Sequence, residues 1–192
     1  MEKETLKVTL AELREKLGSI SKLDPPPGWS VGDSTPTTYP SPRKDSLILP
    51  RGALVEWVGE NAESALCSFF NRHPETQIAW IEKKLRVFPP AFPQRGVSLR
   101  RVLFVESEDN WQWSLQECVR SGTFQFIVAS EEDFPTTQTD LFLRKLQLLS
   151  ERSRTTVCFV ARTPIRSYSI RHRIEASEKT GARVKLKRDA LL

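Results

Sequence analysis

ALVEWVGENAESALCSFF, residues 53–70, decides how the rest of the chain is read. Its first six residues are those of a half-apolar strand, and Gly59 then turns the chain. Ala62, Ala65, Leu66, Phe69 and Phe70 follow at i, i+3, i+4, i+7 and i+8, the spacing that gives a helix one core-facing stripe. Strand, glycine turn and helix in immediate succession have the outline of a phosphate-binding loop. Such a loop needs Gly-x-x-x-x-Gly-Lys-Ser/Thr: bare backbone amides cradle the phosphates, the lysine reaches the terminal phosphate and the hydroxyl holds magnesium. Gly59 fills the first position, but Ser64, Ala65 and Leu66 stand where Gly, Lys and Ser/Thr are required. Glu63 adds a carboxylate where a triphosphate would lie, a repulsion on the order of 1 kcal/mol or more. The reading is a degenerate loop at Gly59, Ser64, Ala65 and Leu66, with no cofactor and no metal expected, in which Gly59 only ends a strand and starts a helix.

Outward from this stretch the pattern repeats. Residues 46–50 (SLILP), 77–82 (QIAWIE), 102–106 (VLFVE), 124–129 (FQFIVA) and 156–161 (TVCFVA) read as strands. Between them, 108–120 reads as a helix with Trp111, Leu115, Cys118 and Val119 on one face and Gly122 as its stop. A second helix, 139–152, aligns Phe142, Leu146 and Leu149. The loop FPPAFPQRG, 88–96, carries prolines that argue against helix and aromatic residues that argue for packing down; SEEDFPTTQ, 130–138, reads as a polar loop. Near-continuous apolar strands alternating with helices predict an α/β fold with a mostly parallel central sheet flanked by helices. At the end, Tyr168, Ile170, His172 and Ile174 alternate with Ser169, Arg171 and Arg173. After a turn at Lys179-Thr180-Gly181, Val184 and Leu186 alternate with Arg183, Lys185 and Lys187. This predicts an antiparallel β-hairpin extending one edge of the sheet.

The N-terminal part is of another kind. Thr9 and Glu12 form a capping box, and Leu10, Leu13, Leu17 and Ile20 then recur at helical spacing. Residues 24–44, DPPPGWSVGDSTPTTYPSPRK, are rich in proline, serine and threonine and favour an extended linker. The predicted organisation is an amphipathic helical arm over 1–22, a linker over 23–45 and one core domain over 46–192. A helix this short is marginal alone in water, so its leucines need burial on the chain's own core or on a partner, and both remain open. Trp29, in the linker, has no core to enter and is a candidate anchor for a partner.

The 192 residues, 39% hydrophobic, suffice for one sizeable core plus an appendage. No apolar run reaches the ~18–20 residues of a membrane span, and MEKETLK lacks the apolar heart of a signal peptide, so a cytoplasmic protein without membrane contact is expected. Cys67, Cys118 and Cys158 are odd in number and form no C-x-x-C, and they read as core thiols. His73 and His172 have no companion at catalytic or metal-ligand spacing and read as structural. The net charge of +5 is uneven: residues 151–192 carry eleven Lys/Arg against four Asp/Glu. Arg171, Arg173, Arg183, Lys185, Lys187 and Arg188 could contact a nucleic-acid backbone. A solvated face protecting an edge strand explains the same residues, and only Tyr168 interleaves them as an aromatic platform would.

The wording from Leu49 to Lys187 resembles the RecA recombinase core: LPRGALVEWVGEN its entry to the nucleotide loop, TQIAWIE the next strand, RRVLFVESEDNWQWSLQECVRSGTFQFIVAS the strand, helix and strand after it, and LRKLQLLSERSRTTVCFVAR the helix and strand that follow. Within that superfamily it is most similar to the ImuA proteins, degenerate RecA relatives of the bacterial mutasome, and next to the division inhibitor SulA. The resemblance implies a RecA-like core that has lost its engine. The strand that would end on a magnesium aspartate reads Phe126-Ile127-Val128-Ala129-Ser130, and Glu82, at the place of a catalytic glutamate, is followed by Lys83 and Lys84. It further implies a non-catalytic protein of the DNA-damage (SOS) response supporting error-prone translesion synthesis. Its implied partners are RecA and an ImuB-like polymerase-family subunit, met through Leu10, Leu13 and Leu17; self-association stays open. An ATP-independent DNA-binding protein using the basic hairpin, and a SulA-like inhibitor of division, are the alternatives.

Overall fold

The computed structural model describes residues 49–134, 139–177 and 181–186. The predicted arm with Leu10, Leu13 and Leu17, the linker, and Lys187 and Arg188 lie outside the described residues. The elements in chain order are β1 (Leu54–Val58), α1 (Ala62–Asn71), β2 (Ile78–Glu82), α2 (Ala91–Gln94), β3 (Val102–Glu106), α3 (Trp111–Ser121), β4 (Phe126–Ser130), α4 (Thr139–Ser153), β5 (Thr156–Ala161), β6 (His172–Ser177) and β7 (Gly181–Leu186). They form one seven-stranded sheet in the order β3-β2-β4-β5-β1-β6-β7. The first six strands in sequence run parallel, and β7 returns antiparallel to β6. The predicted hairpin therefore does extend the sheet, on the edge beyond β1.

β1 and β2 are buried along their whole length, as strands covered on both faces must be. On one face α1 lays Leu66, Phe69 and Phe70 over Val55, Trp57, Ile78, Trp80, Phe126 and Cys158. Side chains alternate along a strand, so the neighbouring residues supply the other face, where Trp111 of α3 meets Phe142 of α4 at 5.6 Å. There Phe134, after β4, stands edge-on to Phe159 of β5 at 4.8 Å. Gly122 ends α3 in the left-handed conformation, φ 64°, which a residue with a Cβ adopts at a cost. The C-terminal end of α1 is closed by a buried arginine from the turn before β3. Arg101 donates to the carbonyls of Phe70 and His73, both at 2.6 Å, and to Thr76 O and Oγ1 at 3.3 and 3.2 Å.

Three local expectations are corrected. The prolines of 88–96 do not prevent helix: Pro93 is the third residue of the four-residue α2, where a missing N–H leaves no helical bond unmade. Phe92 of α2 is buried against Trp80 and Phe104, at 5.4 and 5.1 Å, so the aromatic residues pack down as expected. Of the predicted strand 46–50, residues 46–48 lie outside the described residues, and Pro50 forms a bridge. The loop after β4 contains a 3-10 turn over Glu131–Asp133, capped by Ser130 Oγ. β6 begins only at His172, and Tyr168, placed on the apolar side by its alternation, is 89% exposed.

Candidate functional site at the carboxyl edge of the sheet

In open parallel sheets ligands bind outside the carboxyl ends of the strands. Here that rim is built by Gly59-Glu60-Asn61 after β1, Lys83 to Pro90 after β2, Ser130 to Phe134 after β4, and Arg162 to Arg171 after β5. The β1 connection is too short for a phosphate cradle. Gly59 N–H donates to Ala161 O at 3.0 Å, Ala62 N–H to Gly59 O at 3.1 Å and Ala65 N–H to Asn61 O at 2.9 Å. α1 is thus already under way at Ala62, and Ser64, Ala65 and Leu66 are helical residues, with Leu66 wholly buried. With the Ala62 and Ala65 amides already bonded, the open loop whose amides would wrap a phosphate is replaced by the first turn of a helix. Gly59 has its own reason to be glycine: φ is 116°, and an added Cβ would stand 2.7 Å from Ala176 O of β6.

Beside this turn the rim is closed by ion pairs. Arg86 reaches across from the β2 loop to Glu132 and Asp133, each at 3.1 Å, with Glu82 at 3.8 Å. Asp133 Oδ2 also accepts the Lys83 N–H at 3.1 Å, so the β2 and β4 loops are latched together. Glu82 is buried, and its Oε2 accepts the N–H groups of Arg86 and Val87 at 2.6 and 3.3 Å. A carboxylate so engaged folds its own loop. Ser130 occupies the end of β4, and its hydroxyl caps Glu132 N–H rather than facing a metal. Glu63 is exposed by area, yet its carboxyl lies among enough protein for burial to raise its pKa. Nearby Glu82 raises it further, while Arg95 and Arg86 work against the rise. Among the described residues no group of three or more His, Cys, Asp and Glu is arranged to hold a metal ion.

The remaining reactive groups are held in structural roles. Burial pushes the Cys118 and Cys158 thiols up to about 12 and raises Cys67 as well, against the pull of Arg95, which disfavours the thiolate at all three. The His73 ring lies 4.4 Å from Phe69, and burial lowers its pKa against the pull of Glu75, 3.8 Å away. His172 is half-buried and lowered by that burial first and by Arg171 second.

Two features escaped the sequence reading. Glu56, in the middle of β1, is 0% exposed, and its carboxylate accepts Arg173 Nε at 2.6 Å and Ile165 N–H at 2.8 Å. Arg173, taken from the sequence as a candidate nucleic-acid contact, is therefore bound to Glu56, its register partner on β1. The signal was present: a glutamate inside LVEWV must find a partner if the strand is central. The second feature is the segment between β5 and β6. Ile165, Ser167, Ser169 and Ile170 are buried and pin it down, while Arg162, Arg166, Tyr168 and Arg171 project into solvent. Arg171 thus lies on the same segment as two further exposed arginines, of which Arg162 stands 3.5 Å from Glu132. In β7 the register sets Arg183 opposite Glu175 and Lys185 opposite Arg173.

Scanned against protein-family models, the chain matches none, and no curated protein matches it. Among solved structures it is similar to the RadB recombinase, with a TM-score of 0.53 and 14% identity over 72% of this chain and 82% of that chain. At this identity the likeness shows the fold, which is a RecA-like core: a parallel six-strand sheet flanked by helices.

Proposed function

We propose that this RecA-like core has given up nucleotide chemistry and works as a docking body, in the manner the resemblance to ImuA implies. It would bind RecA or an ImuB-like polymerase-family subunit and so couple DNA damage to error-prone synthesis. The observation that carries the non-catalytic part is the start of α1 at Ala62, three residues after β1, with the neighbouring rim latched by Arg86. Phosphoryl transfer needs a backbone cradle, a lysine on the terminal phosphate and a metal carboxylate; here α1 begins where the cradle would lie, Ala65 stands at the place of the lysine and Ser130 at that of the carboxylate. The likeness to a recombinase supports a place in DNA recombination or repair.

Two measurements test the reading. Calorimetry with ATP and magnesium gives no heat of binding; micromolar affinity overturns the non-catalytic part. Immobilised RecA retains the full chain and loses it when residues 1–20 are deleted; retention unchanged by the deletion removes the arm from the mechanism.

A second reading is favoured by the exposed Arg162, Arg166, Tyr168 and Arg171, three cations and one aromatic ring on a single segment, with Arg162 also 3.5 Å from Glu132. That combination suits a single-stranded nucleic acid, the base stacking on the ring and phosphates meeting the arginines. Retention on a single-stranded oligonucleotide that falls with salt, and drops further in Tyr168→Ala, supports it; binding unaffected by Tyr168→Ala and Arg166→Glu together rejects it.

A further inference from the structure

The outer side of α4 is divided into two rows. Asp140, Arg144, Gln147 and Glu151, at helical spacing, form a polar row along one flank, in which Arg144 donates to Oε1 of the buried Gln147 and Gln147 to Glu151 Oε1, each at 2.9 Å. The adjoining row is Leu141, Lys145, Leu148 and Arg152, all exposed. Leu141 is 69% exposed and Leu148 41%, two leucines a heptad apart on one line, each followed by a cation. Single exposed leucines need no explanation. Here two of them alternate with basic groups along ~16 Å of helix.

We propose that this row is a docking surface for an amphipathic helix of acidic character, carrying leucines and glutamates in the same alternation. Charge complementarity selects that occupant. The row holds two cations and no acid, and the acids beside it, Asp140 and Glu151, stand in the neighbouring row with Arg144 between them. Leucines on the incoming helix cover Leu141 and Leu148, and its carboxylates meet Lys145 and Arg152, in the helix-on-helix mode that other amphipathic segments use. The inference concerns partner recognition alone and holds whether or not the nucleotide reading above is right.

The test uses the full chain and a labelled, helix-stabilised 16-residue peptide with Leu, Glu, Leu and Glu at the spacing of the α4 row, followed by fluorescence anisotropy. A second peptide has Lys in place of Glu. The acidic peptide binds and the basic one binds at least tenfold more weakly. Lys145→Glu with Arg152→Glu reverses that preference, and Leu141→Ser with Leu148→Ser abolishes binding of both. Because all four side chains are exposed, Leu148 least at 41%, each variant keeps a cooperative thermal unfolding within a few degrees of the parent chain, roughly the cost of lost helix propensity, which separates loss of docking from loss of fold. Failure of the acidic peptide to bind, equal binding of the two peptides, or indifference to the charge reversal overturns the proposal.

Discussion

Replacing Arg173 by methionine isolates a buried charge and reads out how β6 is held. Glu56 is 0% exposed, and two donors hold its carboxylate: Arg173 Nε at 2.6 Å and Ile165 N–H at 2.8 Å. Methionine fills much of the volume but removes the cation, leaving one amide to support a carboxylate beneath the sheet surface. Removing one partner of a buried pair costs about 3–5 kcal/mol. Set against a domain stability of about 5–15 kcal/mol, this is a large share. With a urea slope of about 2 kcal/mol per molar, the unfolding midpoint falls by ~1.5–2.5 M. Relaxation caps the loss: β6 can part from β1 and let water reach Glu56, so amide exchange accelerates first along Val55 to Val58 and His172 to Ser177. The double variant Glu56→Leu with Arg173→Met recovers most of the stability, since neither charge is left, but not all of it, because the Ile165 amide loses its acceptor at about 1–3 kcal/mol. A loss below ~1 kcal/mol for Arg173→Met, or a double variant no more stable than the single, refutes the assignment of the pair as the latch between β1 and β6.

Arg101→Met unties Phe70 O, His73 O and Thr76 from one guanidinium and lowers stability by roughly 2–4 kcal/mol, with the fastest exchange gained in the last turn of α1; urea denaturation followed by amide exchange checks both. Gly59→Ala strains a backbone at φ 116° and presses a methyl to 2.7 Å from Ala176 O, so it destabilises by more than ~1 kcal/mol, read as a fall in thermal midpoint. Burial lowers the pKa of both His73 and His172 below the ordinary 6.5. The unfolded chain takes up protons near pH 6.5 and the folded one only below it, so stability present above 6.5 is lost as the pH falls through the folded values. Urea midpoints at pH 7.5, 6.5 and 5.5 show this slope in the parent chain and a flatter one in His73→Gln with His172→Gln.

The strand and helix pattern was open to a reader of the sequence because each element declares itself locally. Val102 to Glu106 and Thr156 to Ala161 emerge at the predicted bounds, and Gly122 stops α3 as its position after a helical stripe implies. The structure departs from the sequence where a local rule is outweighed: the prolines of 88–96 argue against helix, yet α2 is all first turn and tolerates Pro93, and the alternation that begins at Tyr168 precedes by four residues the start of β6. The loss of the nucleotide motif was legible at Ser64, Ala65 and Leu66, but not the reason the loop cannot form, which is the early start of α1.

Periodicity, the missing lysine and the apolar runs fix the parallel α/β class and the degenerate loop, since these depend on neighbours along the chain. The partners of Glu56, Arg86 and Arg101 are different. They are found across gaps of tens of residues, Glu56 to Arg173 being 117 apart, and are chosen by strand order and register, which bring the Glu56 pair to 2.6 Å and Arg86 to 3.1 Å from Glu132 and Asp133. A charged side chain announces that it must be paired if buried; only the packed sheet decides that it is buried, and with which partner.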